Sequence, residues 1–437
     1  MNFKSSTQQK HWQFAVGQVN ALRSAQRAQG ALALQAKRGG GDTSPSLPLS
    51  AEEELSLQRF YEAILLHFCI KELELPVRVA YVAVAFFKRV VLRHSLCAVA
   101  CGAACDELTR AHRDHDPLGC VALTCVYIAA KTEEYRRFDT GVIVRRANAE
   151  ASVWRRWREK VMAEVGVESA AGGGGETVSH ANASPCAITA AAIFKREMVV
   201  LSSIGFHLTV HDPFKAALAL VQTVVAGKGE GEGEGEGGHG GCGDGETKFA
   251  ADALPSPVRA LHAKVQAALS SSVLTDAGLE YAPAQLAAAA VQRALKTADG
   301  AKAAGSSSSS FFALLASTLP AGLAETEAKG MERALSAAAL ALEEGERRAV
   351  ESRSWLGGEA KEQAGDGNMV TFAGYVKRCG ESLASVLVAE ATAAAAAATA
   401  AAGAGAGTSV GGGSAAASGD KSRRVRAHDF DSSDDEM

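Results

Sequence analysis

The sequence predicts an all-α protein with two successive helical domains, flanking helices and low-complexity insertions. In most segments that have a periodic pattern, apolar residues recur at the three- and four-residue spacing of amphipathic helices. Helix-start signals, either a proline or a serine followed by a glutamate, precede several of these segments. No segment is convincing as a β-strand. The periodic segments fall into two blocks of about five helices each, interrupted by runs rich in Gly, Ser, Ala and Glu.

Residues 1–50 are predicted to hold an N-terminal helix and a linker. Trp12, Val16, Val19 and Leu22 recur at helical spacing. The stretch "RGGGDTSPSLPLS" that follows is rich in turn-forming residues and is predicted to be the linker.

The first helical domain is predicted over residues 51–210. Ser50 followed by Glu53 is typical of an N-cap with its capping-box partner, and Pro76 suits the first turn of the next helix. Residues 148–185 are Gly-rich and lack a steady period. We therefore expect them to form an insertion that loops out of this domain.

The stretch "CVALTCVYIAAKTEE", residues 120–134, is apolar on nearly every face of a helix. Such a helix is expected at the centre of a bundle, wrapped by its neighbours. Lys131 follows Tyr127 by four residues and leaves from the edge of this buried segment. On its own, this lysine is a cation at a helix C-terminus, stabilised by the macrodipole and reaching water with its long side chain.

The last helix of the first block is predicted in "AITAAAIFKREMVVLSSIGF". Phe194, Met198 and Leu201 share one face of this helix, and Gly205 is suited to ending it.

The second helical domain is predicted over residues 211–352, with a Gly-Glu insertion at about 227–247. Residues 353–390 are expected to hold a C-terminal helix. Residues 391–437 have low complexity and are predicted to be a disordered tail.

Composition narrows the class of protein. The net charge of −4 over 437 residues argues against a chain built mainly to coat nucleic acid. The nine cysteines are odd in number and include no CxxC pair, which favours free thiols in a reducing compartment. The N-terminal stretch has no apolar signal-peptide core, and the alanine-rich run near the C-terminus is too weakly hydrophobic for a membrane span. We expect a soluble intracellular protein without membrane association.

Six possible zinc ligands crowd one region of the first block: His94, Cys97, Cys101, Cys105, His112 and His115. Their side chains are of the kinds that bind zinc. However, the three cysteines are four residues apart, which lines up one face of a helix, and the closely spaced pair of a zinc knuckle is missing. We therefore expect free cysteines, with no metal and no cofactor.

The segment "VWRRWREK", residues 153–160, interleaves two tryptophans with basic residues. This composition suits single-stranded nucleic acid or an acidic protein partner. The alternative, which we favour, is a short amphipathic helix resting on the surface.

The charged tail offers two further signals. The basic run "KSRRVR", residues 421–426, has the composition of a nuclear-import signal. Ser432 and Ser433 precede acidic residues and are candidate phosphorylation sites for an acid-directed kinase; the alternative is a solvating charged terminus. "GEGEGEGEG" lacks the Lys and Ser/Thr of a phosphate-binding loop, and no nucleophile–base or metalloenzyme motif is present, so we expect a protein that is not itself an enzyme.

Three stretches, in this order, resemble the cyclin box: "AFFKRVVLRHSL", "VALTCVYIAAKTEEY" and "FKREMVVLSSIGFHLTVHDPF". The resemblance implies two tandem five-helix cyclin boxes. It also implies a kinase-binding site in which Lys131 pairs with Glu197, with Ile128 and Phe206 as apolar contacts beside them. The separation of Lys131 and Glu197 is longer than in the family pattern because residues 148–185 intervene.

The stretches "SSTQQKHWQF" and "VLTDAGLEYAPAQLAAAAV" are most similar to the cyclin H subfamily. This similarity implies a regulatory subunit of the CDK-activating kinase, acting in the cell cycle and, within general transcription factor TFIIH, in RNA polymerase II transcription. The implied partners are a cyclin-dependent kinase and a RING-finger assembly factor, and the implied location is the nucleus. The alternatives are a C-type transcriptional cyclin and a TFIIB-like DNA-binding factor; net acidity and the lack of a zinc ribbon disfavour the second, so direct nucleic-acid binding is not expected.

Overall fold

The structure is a computed structural model, and the parts of the chain that it describes are residues 3–38, 46–101, 117–135, 139–165, 188–226, 256–296, 325–356, 369–379 and 381–382. All regular elements in these parts are helical, which confirms the predicted all-α class. In chain order the α-helices are α1 (Thr7–Trp12), α2 (Gln18–Lys37), α3 (Ala51–His67), α4 (Val77–Arg93), α5 (Leu96–Ala100), α6 (Pro117–Thr132), α7 (Thr140–Asn148), α8 (Val153–Val165), α9 (Ala190–Ser203), α10 (Phe214–Ala226), α11 (Ser256–Ser272), α12 (Ala277–Glu280), α13 (Pro283–Lys296), α14 (Glu325–Trp355) and α15 (369–379). A 3₁₀ turn, Phe3–Ser5, precedes α1, and a π-helical turn, Phe68–Glu72, extends α3. None of the described helices is both long enough and apolar enough to cross a membrane.

The N-terminal segment forms two helices, α1 and α2, where the sequence predicted one. The chain breaks between them at Gly17, whose φ of +84° lies in the left-handed region that glycine adopts without a Cβ penalty. Trp12 and Val19 are buried as expected. Val16, which lies in the break, is 71% exposed.

The first helical bundle is built around α6. This helix packs against α3, α4, α5, α7 and α9, and its buried residues occupy every face, as the sequence predicted for a central helix. The capping box of α3 is also confirmed, because Ser50 accepts from the backbone of Glu53 while the Glu53 side chain accepts from the backbone of Ser50.

Helix α8 corrects the prediction that residues 148–185 loop out as an insertion. Trp154 and Trp157 are completely buried, and they contact the aromatic rings of Phe60, Tyr61 and Phe68 in the first core. The spacing of Trp154, Trp157 and Val161 is that of a helix face, and Gly-rich neighbouring sequence hid it. The favoured expectation for "VWRRWREK", an amphipathic helix, is confirmed, but this helix does not rest on the surface, and its buried rings are not free to stack on bases. Residues 166–187 lie outside the described residues.

The second bundle has its own hydrophobic core. Helix α13 packs against α10, α11 and α14, and the core contains alanines from all four helices. Pro283 begins α13, as its sequence position predicts. The Gly-Glu insertion, a further predicted helix in "SSFFALLASTL" and the tail from residue 391 lie outside the described residues.

The C-terminal helix α15 packs on the first bundle. Its Phe372 stacks on Phe60 of α3 with ring centroids 4.4 Å apart, and Met369 and Val376 join the same core. The chain therefore returns from the second bundle to complete the first.

Candidate functional site

Lys131 stands at the exposed end of α6 because of the way this helix terminates. Tyr135 donates its backbone N–H to Ala130 and Glu134 donates to Lys131, while Glu134 has a φ of +53°. This is the Schellman arrangement, here closed by a glutamate in the left-handed position instead of a glycine. The helix therefore ends at Thr132, just beyond its buried residues. Lys131 lies in its last turn, where a positive charge is favoured.

Helix α9 ends in the same way and confirms Gly205 as its stop. Phe206 donates its backbone N–H to Leu201, Gly205 donates to Ser202, and Gly205 has a φ of +63°. The next residue, Phe206, also has a positive φ of +56°, which is strained for a side chain of this size. Two successive left-handed residues turn the ring of Phe206 outward, where it is 55% exposed.

The structure brings Lys131 and Glu197 together across 66 residues of sequence. The Lys131 Nζ lies 2.5 Å from Glu197 Oε1, and the two side chains are 54% and 19% exposed. The hydrogen bond with Glu197 raises the pKa of Lys131 above its ordinary value. The ammonium also lies 5.0 Å from the centre of the Tyr127 ring, a cation–π contact that steadies its position.

Exposed apolar side chains border this ion pair. Phe194 is 49% exposed and Met198 62% exposed, and they flank Glu197 on α9. Phe194 meets Tyr127 edge to face, with ring centroids 5.6 Å apart, so the apolar surface is continuous from α6 to α9. Helix α9 therefore has two different faces. Its buried face contains Ile193, Arg196 and Val200, and the face with Phe194 and Met198 points away from the core. We call the surface formed by Tyr127, Lys131, Phe194, Glu197 and Met198 the Lys–Glu patch.

The structure buries Ile128, the apolar contact that the resemblance implied, beneath the Lys–Glu patch residues of α6. Its side chain is only 3% exposed and lies in the first core. Tyr127, four residues before Lys131, is on nearly the same side of the helix, whereas Ile128 is turned towards the bundle. Because α6 is apolar all round, its sequence could not show which of these residues faces outward.

An ion-pair bridge fixes the start of α4 beside this region. Arg78 Nε lies 2.7 Å from a carboxylate oxygen of Glu133 and 3.0 Å from one of Asp212. Burial raises the pKa of Glu133, although the charge of Arg78 opposes that shift. The turn after α6 and the segment before α10 are thus held to the same arginine.

The N-terminal helix braces the turn that carries Phe206. The Trp12 indole N–H donates to Nδ1 of His207 at 3.0 Å, and the guanidinium groups of Arg89 and Arg93 each lie 5.2 Å from the Trp12 ring centre. Arg89 also donates to the His207 carbonyl oxygen at 2.6 Å. The segment "KHWQF" therefore positions the residue next to Phe206, a role that the sequence pattern did not reveal.

A buried charge network joins the N-terminal helix to both bundles. Arg23 of α2 forms two hydrogen bonds with Asp276, at 2.8 and 2.7 Å. Lys88 of α4 lies 3.2 Å from Glu62, donates to the Thr275 carbonyl and lies 4.0 Å from Asp276. Burial alone would raise the pKa of Asp276, but the hydrogen bonds from Arg23 and the charge of Lys88 hold it well below its ordinary value. The segment "VLTDAGLEY" is thus the place where α2 and α4 are joined to the second bundle, through Thr275 and Asp276.

The histidines and cysteines that crowd one sequence region do not all reappear together. Cys97 and Cys101 are buried, and Cys379 of α15 lies against them. His94 contacts the Ser203 hydroxyl instead, with Nε2 and Oγ 3.1 Å apart. Cys105, His112 and His115, like the basic run at 421–426 and the tail serines Ser432 and Ser433, lie outside the described residues.

No protein-family model matches this chain, and no curated protein matches it either. Among solved structures, a chain of the CAK complex from Chaetomium thermophilum bound to ATP-γ-S is similar, with 18% identity, a TM-score of 0.49 and coverage of 84% of this chain and 87% of that chain. A chain of the yeast TFIIK (Kin28/Ccl1/Tfb3) complex is similar with 15% identity, a TM-score of 0.45 and coverage of 78% and 100%. Neither similarity is high enough to assign this chain to a family.

Proposed function

We propose that this chain is a cyclin-type regulatory subunit that binds and activates a cyclin-dependent protein kinase through the Lys–Glu patch. The single observation that carries the proposal is the geometry of this patch: an accessible, hydrogen-bonded Lys131–Glu197 pair bordered by the exposed side chains of Phe194 and Met198. Phe206, exposed in the turn after α9, is proposed as a further apolar contact. Exposed apolar groups of this size around an ordered ion pair are typical of a protein-binding surface.

The chemistry of the patch suits a backbone segment of a partner. A lysine has three donors and a carboxylate has two acceptor oxygens, so after pairing with each other both groups retain capacity for peptide C=O and N–H groups. The apolar neighbours supply burial and exclude water, while the charged pair sets register. We infer that the bound segment is the chain around the mobile regulatory helix of the kinase.

Activation follows from positioning. A protein kinase is active when its β-strand lysine and helix glutamate are paired and its activation loop is ordered. A subunit that seats the regulatory helix on a rigid surface favours that state without any catalytic group of its own. The central position of α6 and the bracing of Phe206 by Trp12 and His207 make this surface rigid.

The finer assignment is to the CDK-activating kinase, with a RING-finger assembly factor, within TFIIH and in the nucleus. The resemblance of "SSTQQKHWQF" and "VLTDAGLEYAPAQLAAAAV" to the cyclin H subfamily supports it. Both segments hold structural positions: the first seats Trp12 against His207 and the second carries Asp276 at the charged junction. The expected substrates are activation loops of other kinases and the RNA polymerase II tail.

The test is co-purification with the candidate kinase subunit, followed by phosphorylation of a polymerase-tail peptide. Lys131→Glu and Glu197→Lys each replace the ion pair by two like charges side by side at the interface, so we expect each to weaken binding by about 2–5 kcal/mol. Arg347→Glu is the matched control, because it reverses another exposed ion-paired cation, on α14. Circular dichroism should show unchanged helix content for all three variants.

The outcomes separate the two parts of the proposal. Kinase binding and activity that depend on Lys131 and Glu197 but not on Arg347 support the function and the site together. Undiminished binding by both patch variants would overturn the site. A folded wild-type chain that never binds the kinase would overturn the assignment to that partner, and retrieval of a different cyclin-dependent kinase would point to another transcriptional cyclin.

A further inference from the structure

Three buried cysteines from two distant parts of the chain place their sulfur atoms together. Cys97 in α5 and Cys101 just after it are four residues apart on one face, and Cys379 ends α15. The Cys97 sulfur lies 3.9 Å from that of Cys101 and 3.7 Å from that of Cys379, and all three sulfurs lie within 4.8 Å of one another. The side chains of all three are completely buried.

The two spacings from the Cys97 sulfur match the distances between ligands of a metal ion. Three sulfurs that each lie about 2.3 Å from one ion are about 3.7–4.0 Å apart in tetrahedral or trigonal geometry. A disulfide would require about 2.05 Å between two of them. Thiolates are soft ligands that select thiophilic ions over Mg²⁺ or Ca²⁺. We propose that Cys97, Cys101 and Cys379 form a three-thiolate site for a thiophilic metal ion, with Zn²⁺ as the ion that fits best.

The surroundings favour a divalent ion. Arg38 donates to the Ser382 hydroxyl at 2.6 Å, and Ser382 in turn contacts the Cys101 sulfur, on which the Arg38 charge also acts. Three thiolates and Zn²⁺ carry a net charge of −1, which Arg38 balances, whereas a monovalent ion would leave −2. Among the described residues, no further Cys, His, Asp or Glu joins the three cysteines.

The site is anchored at its α5 side. The Glu54 carboxylate of α3 accepts hydrogen bonds from the Ser95 hydroxyl at 2.7 Å and from the Cys97 backbone N–H at 3.0 Å, so the start of α5 is held rigidly. Cys379 then approaches from 282 residues away in sequence. Binding replaces three S–H bonds by three S–Zn bonds and releases three protons, with no change in oxidation state. The metal would fasten α15 to the first bundle.

The experiment measures metal in the full-length chain purified from a cellular source under reducing conditions. Elemental analysis is expected to give about one zinc per wild-type chain, and a large loss in Cys379→Ser. Cys125→Ser is the matched control: it removes an equally buried thiol of α6 outside the cluster and should keep its zinc. Equal zinc content in the Cys379 and Cys125 variants would overturn the proposal.

A second measurement does not depend on the folding of a variant. The metal-free wild-type chain is titrated with Cd²⁺, and a sulfur-to-cadmium charge-transfer absorption saturating at about one equivalent supports the site. Alkylation of the unfolded chain checks that its thiols are reduced. If they are reduced and the absorption is absent, the proposal is overturned. Mass spectrometry that instead finds a disulfide between Cys379 and Cys97 or Cys101 in the freshly isolated protein also overturns it.

Discussion

The Trp12 indole N–H donates to Nδ1 of His207 at 3.0 Å, across 195 residues of sequence. This bond requires His207 to have no proton on Nδ1. His11 stacks on the same imidazole with ring centroids 4.4 Å apart, and the Arg89 and Arg93 guanidiniums lie over Trp12. The contact therefore links the N-terminal helix to the turn that carries Phe206 and makes that link dependent on the protonation of one histidine.

We expect the chain to lose stability in mild acid, partly through His207. Burial, His11, Arg89 and Arg93 lower the pKa of His207 in the folded state. The unfolded chain therefore binds the proton first, at a pKa of about 6.5. Stability contributed by the neutral imidazole is fully present above that value and falls as the pH decreases towards the lower folded-state pKa.

The measurement is urea unfolding at several pH values for the wild type and His207→Asn, whose amide oxygen can accept from Trp12 without titrating. The variant is expected to have a shallower pH dependence. Other histidines with lowered pKa values, such as His94, are present in both proteins and cancel in the comparison. Identical pH profiles would show that the proton has no role at this contact.

Replacing Phe206 by glycine should separate binding from stability. The φ of +56° is strained for phenylalanine and not for glycine, so relief of about 1 kcal/mol is expected in the folded chain. The same change removes an exposed ring that we propose as a kinase contact, so kinase binding should weaken. Thermal unfolding and calorimetric titration measure the two effects. A destabilised variant with unchanged affinity would contradict both expectations.

Asp276→Ala should be strongly destabilising. It leaves Arg23, half of a bidentate pair, and the buried Lys88 without their shared carboxylate, a change that typically costs about 3–5 kcal/mol. The control is Glu351→Ala, which breaks an exposed ion pair with Arg347 on α14 and should cost no more than about 1 kcal/mol. The denaturant midpoints of the two variants are compared. Equal losses of unfolding free energy would show that the charge network around Asp276 does not stabilise the fold more than an exposed ion pair.

Trp157→Ala tests whether α8 belongs to the core. The ring is completely buried and meets Phe60 edge to face at 4.6 Å, so truncation should cost about 3–5 kcal/mol in the free energy of unfolding. Arg155→Ala is the neighbouring control on the solvent side, expected to change stability by about 0.5 kcal/mol or less. If Trp157→Ala left the free energy of unfolding unchanged, α8 would not belong to the core, and the predicted insertion would be the better description.

Local signals explain what could be predicted. The capping box at Ser50 and Glu53, the stop at Gly205 and the periodic apolar residues of α4 and α13 each act within one or two turns of chain. They therefore appear in the sequence without knowledge of the fold. The place of α8 in the core was missed despite its periodic tryptophans, because the flanking glycines dominated the composition of that region.

By itself, the sequence determined the all-α class and most helix positions, because helix formation and capping depend on near neighbours. Only the tertiary structure decided which faces are outside. It buried Ile128 and exposed Phe194 and Met198, since a helix apolar on all sides has no surface until its neighbours are placed. It also brought Cys379 to Cys97 and Trp12 to His207. Contacts between residues far apart in sequence arise from the packing of whole helices, and no local pattern encodes them.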